Sequence, residues 1–302
     1  MLAVGLIAAL VASALFNVGI VLQAIEARRA PAALALRPSL LARLLHRPLW
    51  LLGFGLGIIG IGPQVLALSD APFVVVQPAL VAGLLIVLFL GVRTLNESVD
   101  RLALAGVLAI IGGIALVAWG APPHNETHRG GLAVLAVFAP LAAGALIPFT
   151  LRGTRFDSGL LVIVASGFGF AAGNVATKLF GDDVNAGRYV NATAWAVSGL
   201  LMGVVATITG MTAFQRRPAT VVVPVSTSVQ TFLPILLEPL FLRERWSAAT
   251  FYGVPIAVGL AVALAGTLLI TRTRAVSELV AAAGGPTAPP ARRRRRGGGR
   301  RR

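Results

Sequence analysis

Residues 88–116 read LFLGVRTLNESVDRLALAGVLAIIGGIAL, and residues 237–264 read LEPLFLRERWSAATFYGVPIAVGLAVAL. Both set out the same parts in order: the end of an apolar run, a short loop with Leu-x-Glu, then a glycine-bearing apolar run. Adding 147 to a residue number lays one stretch on the other. Leu95 and Glu97 fall on Leu242 and Glu244, Gly106-Val107 on Gly253-Val254, and Gly112 on Gly259. The same step carries VVV at 74–76 onto VVV at 221–223. Self-similarity at a fixed step means that one structural unit is used twice.

Composition names the solvent of that unit. The 302 residues are 57% hydrophobic and 12% charged, with mean hydropathy +0.85. Soluble domains carry about 25% charged residues, so the medium is lipid. The absence of cysteine excludes disulfides, thiol catalysis and cysteine-metal sites. Net charge is +15, but eight arginines sit in the last eleven residues, RRRRRGGGRRR. Removing those eight from 26 cations leaves 18 against 11 anions, spread over loops.

Nine runs are long enough to cross a hydrocarbon core about 30 Å thick. They cover roughly 2–24, 48–68, 72–92, 101–119, 130–150, 158–180, 189–212, 219–241 and 247–271. The first has ASA in the place of a cleavage site. It lacks a positive n-region and outruns a signal h-region, so it is read as a retained helix. Arginine-rich short loops stay in the cytoplasm, which assigns the loop with Arg28, Arg29, Arg37, Arg43 and Arg47 to that side. Alternation then adds Arg93 and Arg101, Arg152 and Arg155, Arg216 and Arg217, and the tail. The other side receives Asp70, HNETHR, GDDVNAGR and RERW. The expectation is a multi-pass cell-membrane protein with its N-terminus outside and its C-terminus cytoplasmic.

The first span also matches the sixth, at a step of 154: Phe16 onto Phe170 and Gly19 onto Gly173. The expected fold is therefore an all-α integral membrane protein. A first repeat of four helices (1–120) joins through a linker helix (121–157) to a second repeat (158–271). A disordered Arg-rich tail (272–302) follows. An odd number of linking spans inverts the second repeat, an architecture used by many secondary transporters, with the substrate near the midplane.

The twice-used helix, Leu-x-Glu loop and glycine-bearing helix, with SALFNVGIVLQ (13–23) and GFAAGNVATK (169–178), resembles the drug/metabolite transporter superfamily, the EamA-like permeases. The resemblance covers nearly the whole chain except the tail. The usual form there has ten helices. Nine is the number associated with the NIPA-like magnesium-transporter branch, the second resemblance. The first implies a secondary permease that moves a small metabolite, amino-acid-like compound or drug by alternating access. The second implies a divalent-cation carrier, although magnesium sites use one or two carboxylates and only Glu238 lies within a span. A third reading is a non-transporting scaffold whose basic tail recruits partners.

Polar residues inside spans mark the expected site. Thr227, Thr231, Pro234 and Glu238 recur at steps of 4, 3 and 4, so they share a helix face with Gln230 beside them. Prolines 224, 234 and 239 are expected to break or kink that helix. Asn174 and Lys178, the only lysine, share a face at i, i+4. Asn17, Gln64 beside Pro63 and Gln77 beside Pro78 complete the set. The substrate-binding candidates are Asn17, Gln77, Asn174, Lys178, Thr227, Gln230, Thr231 and Glu238. Lys178 and Glu238, both near the outer ends of their helices, either pair or point to headgroup and solvent.

Other motifs have plainer readings. Gly55-x-Gly57-x-x-Gly60 lies in an apolar span with no preceding strand, so it is packing rather than a dinucleotide site. Gly53, Gly62, Gly169-x-x-x-Gly173 and Gly199-x-x-x-Gly203 read the same way. His124-Asn-Glu-Thr-His128 is a solvated loop rather than a metal site. Glu97 and Glu244 are interface anchors with neighbouring Arg93, Arg101, Arg243 and Arg245. The tail suits anionic lipid at the cytoplasmic face; nucleic acid as its partner would leave the preceding spans unexplained. No G-x-x-x-x-G-K-[ST] and no nucleophile–base pair occurs, so neither ATP hydrolysis, catalysis nor a cofactor is expected.

Overall fold

The computed structural model describes residues 2–70, 73–120, 131–241 and 250–283, and these are helical without a strand. The helices are α1 (Leu2–Arg29), α2 (Pro38–Leu44), α3 (Pro48–Asp70), α4 (Phe73–Val81), α5 (Leu84–Leu95) and α6 (Arg101–Gly120). Then come α7 (Leu132–Thr150), α8 (Gly159–Asn185), α9 (Tyr189–Arg216), α10 (Ala219–Phe241) and α11 (Val254–Ala283). Among the described residues, eight helices are long and apolar enough to cross a membrane. The expected fifth span, outside those eight, corresponds to α7, whose 19 residues reach about 28 Å at helical rise.

Large apolar side chains face outward all round. Val190 is 85% exposed, Leu200 70% and Phe89 67%. Such a surface is at home in hydrocarbon, where helices close all their own backbone hydrogen bonds. With no hydrophobic force between helices in lipid, close approach and interhelical hydrogen bonds must hold the bundle. Both are present at specific small residues.

Three antiparallel pairs make the most extensive contacts: α1 with α3, α8 with α9, and α6 with α11. In α1/α3, a methyl group added at Gly19 would come within 2.5 Å of the Gly53 carbonyl oxygen, and the reverse holds equally. In α8/α9, Gly173 faces the Gly199 carbonyl at 3.9 Å by the same measure. In α6/α11, Gly113 and Gly259 abut reciprocally at 2.5 Å, while a methyl at Gly266 would meet the Gly106 carbonyl at 2.5 Å. Polar contacts pin α8 to α9 and α3 to α9. Ser166 Oγ donates to the Ala206 carbonyl at 3.1 Å, and Trp50 Nε1 donates to Met211 Sδ at 3.3 Å.

Several sequence expectations need correcting. Gly55, Gly57, Gly62 and Gly203 face open space, with no described atom within 4 Å of an added methyl, so they pack against no other described helix. Prolines 224, 234 and 239 do not interrupt α10. The interruption falls instead in the third span, at Ala82-Gly83 between α4 and α5. There Pro78 lacks an amide hydrogen, and Ser13 Oγ takes the Leu80 carbonyl at 2.6 Å. The GDDVNAGR segment is helical as far as Asn185, with Asp182 and Asp183 buried rather than in a solvated loop. α11 continues to Ala283, eleven residues beyond the start expected for the tail, because AVSELVAAA is rich in helix formers. HNETHR, RERW with Glu244, and 284–302 lie outside the described residues.

The arginine-bearing loops converge on one end of the bundle. Arg152 Nη2 donates to the Ala33 carbonyl at 3.5 Å, and Gln215 Nε2 to the Ala30 carbonyl at 3.3 Å. Arg216 grips Asp157, with Nη2–Oδ2 at 3.4 Å for the longer of two contacts. That guanidinium, joined by the Gly153 amide, outweighs burial and holds the Asp157 carboxyl below the usual carboxylate range.

Candidate functional site

A cavity of about 530 Å³ opens between α1, α3 and α4/α5 on one side and α8 and α10 on the other. Its position follows from local choices already described. The α4/α5 break brings Gly83 against α1, so that an added methyl would sit 2.0 Å from Asn17 Nδ2. Gly57 on α3 withholds a side chain where the space begins. The polar face of α10 closes the far wall.

Five of the expected site residues line this one cavity: Asn17, Asn174, Thr227, Gln230 and Thr231. Pro234 on the α10 face lines it too, as does Gln64 on α3. Lys178 does not. It lies one turn beyond Asn174, and its Nζ donates to Asp182 Oδ1 at 3.3 Å along the same helix. The physical reason is that α8 runs on past the expected end at 180, which places a carboxylate at i+4. The side chains of Gln77 and Glu238 are outside the described residues, and so is any pairing of Glu238 with Lys178. Gln23 also lines the cavity and was missed. The signal was available: Phe16, Ile20 and Gln23 recur at steps of 4 and 3 on one face of α1.

The wall is amide, hydroxyl and hydrocarbon. Asn17 is buried and donates through Nδ2 to the Ser13 carbonyl at 2.8 Å, which fixes its orientation. Phe16, Ile20, Leu84 and Val223 supply apolar surface. Among the described lining residues none is ionisable. A mostly apolar concavity with a few placed polar groups is what a small-molecule site looks like. No cluster of three or more His, Cys, Asp or Glu fit for a metal is found among the described residues.

Charge is gathered at the ends of the helices instead. Asn96 terminates α5 in the left-handed region, φ 52°, a conformation asparagine tolerates. The Glu97 amide then turns back to the Gly91 carbonyl at 3.1 Å. This reversal aims the Glu97 carboxylate away from Arg93 and Arg101, its expected partners, and onto the start of α10. Oε1 accepts the Ala219 amide at 2.7 Å and Oε2 the Thr220 amide at 2.8 Å. Arg28 of α1 completes the cluster with a guanidinium contact to Oε1 and an Nε donation to the Phe214 carbonyl at 3.3 Å. At the other end of the bundle, Asp183 is 1% exposed and takes Arg188 Nε at 2.7 Å.

Comparison with known proteins gives no relative. No family model, no curated protein and no solved structure matches the chain. The cavity and its lining are therefore read on their chemistry alone.

Proposed function

We propose that this protein is a secondary transporter of the drug/metabolite type, moving a small organic molecule through the cavity by alternating access. The observation that carries the reading is the cavity's position: polar groups from both halves of the chain meet across it, deep among apolar spans. The pairing of helices supports an inverted repeat. Gly19 and Gly173, matched in sequence, each sit where their helix crosses the next long one, at Gly53 and Gly199. Gly113 meets Gly259 one residue from the expected 112-to-259 match, so α6 and α11 cross where a two-fold axis relating the halves would pass. The partners run antiparallel, as inversion requires. The arginine-rich end is assigned to the cytoplasm, which puts the N-terminus outside. A magnesium carrier is less well supported, because the described lining offers amides and hydroxyls where magnesium takes carboxylates and water.

The test is solute counterflow into proteoliposomes loaded with a metabolite extract, for the full chain and for a chain ending at Ala283. A carrier accumulates at least one extract component above empty liposomes and keeps doing so without the tail. Absence of any protein-dependent accumulation, or its loss with the tail alone, refutes the reading.

A further inference from the structure

We infer that the cavity recognises an uncharged molecule through amide-like edges, the adjacent hydrogen-bond donor and acceptor of a carboxamide, lactam or nucleobase. This rests on the carrier reading and names the class of molecule that site takes. Five amides face the cavity: Asn17, Gln23, Gln64, Asn174 and Gln230. Each carries a carbonyl acceptor and an NH₂ donor side by side, the pairing by which asparagine and glutamine read the edge of adenine. Asn17 spends one N–H on the Ser13 carbonyl and keeps its second N–H and its acceptor. The side chains of the other four make no hydrogen bond to another described residue. A ligand that offers donors and acceptors together satisfies both halves of each amide. One that offers acceptors alone leaves carbonyls unpaired in a low-dielectric site, where unmade hydrogen bonds are costly.

Charge argues the same way. A carboxylate, phosphate or ammonium entering the cavity loses its hydration and meets no counter-charge among the described lining residues. Lys178, one turn beyond Asn174, is engaged with Asp182, and at the bundle ends Arg28 is engaged with Glu97, Arg188 with Asp183 and Arg216 with Asp157. Phe16 and the aliphatic walls give the flat apolar faces of such a ring a place to lie. The volume is within the few hundred to a thousand cubic ångströms typical of small-molecule sites.

The experiment uses the purified full chain in detergent at pH 7 and measures Tm against matched probes: nicotinamide and nicotinate, uracil and orotate, inosine and inosine monophosphate, and magnesium chloride. At least one neutral member is expected to raise Tm saturably, with its charged partner binding at least tenfold more weakly. Asn174→Leu and Gln230→Leu should each weaken that neutral ligand by tenfold or more. Gln230→Glu, which keeps the shape and replaces the donor by a negative oxygen, should do the same. The inference is overturned if a charged member or magnesium binds as tightly as any neutral one, if no neutral probe binds, or if folded variants bind unchanged. Counterflow separates this from the carrier reading. Exchange of a charged member only would sink the recognition and leave the carrier. Binding of a neutral member without exchange would sink the carrier and leave the recognition.

Discussion

Replacing Glu97 by alanine removes three interactions at once. The carboxylate caps α10 through two of the amides that no helix can satisfy internally, Ala219 and Thr220. Loss of such a cap costs about 1–2 kcal/mol. It also strands Arg28, whose side chain is only 26% exposed beside a carboxylate 4% exposed. Breaking a buried pair costs about 3–5 kcal/mol, and the lower end applies here because Arg28 retains some solvent. The sum is about 4–5 kcal/mol, or roughly 8–10 °C at about 2 °C per kcal/mol for a chain of this size. Glu97→Gln keeps an acceptor for the Ala219 amide and Arg28, which share Oε1, but presents an NH₂ to the Thr220 amide and removes the negative charge, so about half that loss is expected. The assay is thermal unfolding in detergent across a double-mutant cycle with Arg28→Ala. Because Arg28→Ala removes the stranded charge, the double variant should recover about 1–3 kcal/mol relative to the sum of the single effects. A Glu97→Ala Tm within about 1 °C of the parent, or strict additivity, would refute the clamp.

Gly113→Ala should unseat α11, since the new methyl would meet the Gly259 carbonyl at 2.5 Å, whereas Gly112→Ala faces open space and should leave Tm unchanged or raised; unfolding curves of the two decide it. Asp157 is held below its ordinary carboxylate range by Arg216. Its contribution to stability is therefore present above about pH 3.9 and lost as pH falls through the lowered folded value. Asp157→Asn should lose Tm at neutral pH and flatten the acid limb of a Tm–pH profile. The chain has no cysteine, so single cysteines report orientation cleanly. Ser39→Cys at the arginine-rich end should resist, and Ala186→Cys at the opposite end should accept, a membrane-impermeant maleimide on intact cells.

The spanning helices and the polar α10 face were legible because apolar length and 3.6-residue periodicity are direct consequences of lipid and helix geometry. Asn17, Asn174, Thr227, Gln230 and Thr231 could be chosen from three helices far apart in the sequence and yet meet in one cavity, since polar groups in spans turn inward. What periodicity does not carry is chain reversal. Nothing in Leu-Asn-Glu says that Asn96 adopts a left-handed turn, and that turn alone decides whether Glu97 meets Arg93 or Arg28. Helix ends suffered likewise. GDD reads as loop by polarity, but α8 buries both carboxylates against cations at i−4 and i+5, Lys178 and Arg188. Prolines misled for a related reason. The backbone broke where a neighbouring hydroxyl, Ser13, donates to the Leu80 carbonyl beside the Gly83 amide, and not where prolines were most numerous.

Glycine shows the same ambiguity, with a consequence that can be tested. Gly53 and Gly57 stand one turn apart on α3 and look alike in sequence. At Gly53 the absent side chain admits the backbone of α1, with the Gly19 carbonyl 2.5 Å from where a methyl would be. At Gly57 it admits nothing within 4 Å and instead helps to hollow the cavity. One glycine makes contact and the other makes room. Gly57→Leu should therefore fill the cavity from one wall without touching a helix interface. Replacing a mid-helix glycine also relieves about 0.8–1 kcal/mol of propensity cost, so Tm should hold or rise while saturable ligand shifts and counterflow disappear. Gly53→Leu should do the reverse to Tm, lowering it sharply by forcing α1 off α3. If Gly57→Leu unfolded the protein as Gly53→Leu does, the space beside Gly57 would be an interface and not a site. If it bound and exchanged solute as the parent does, the solute would pass elsewhere.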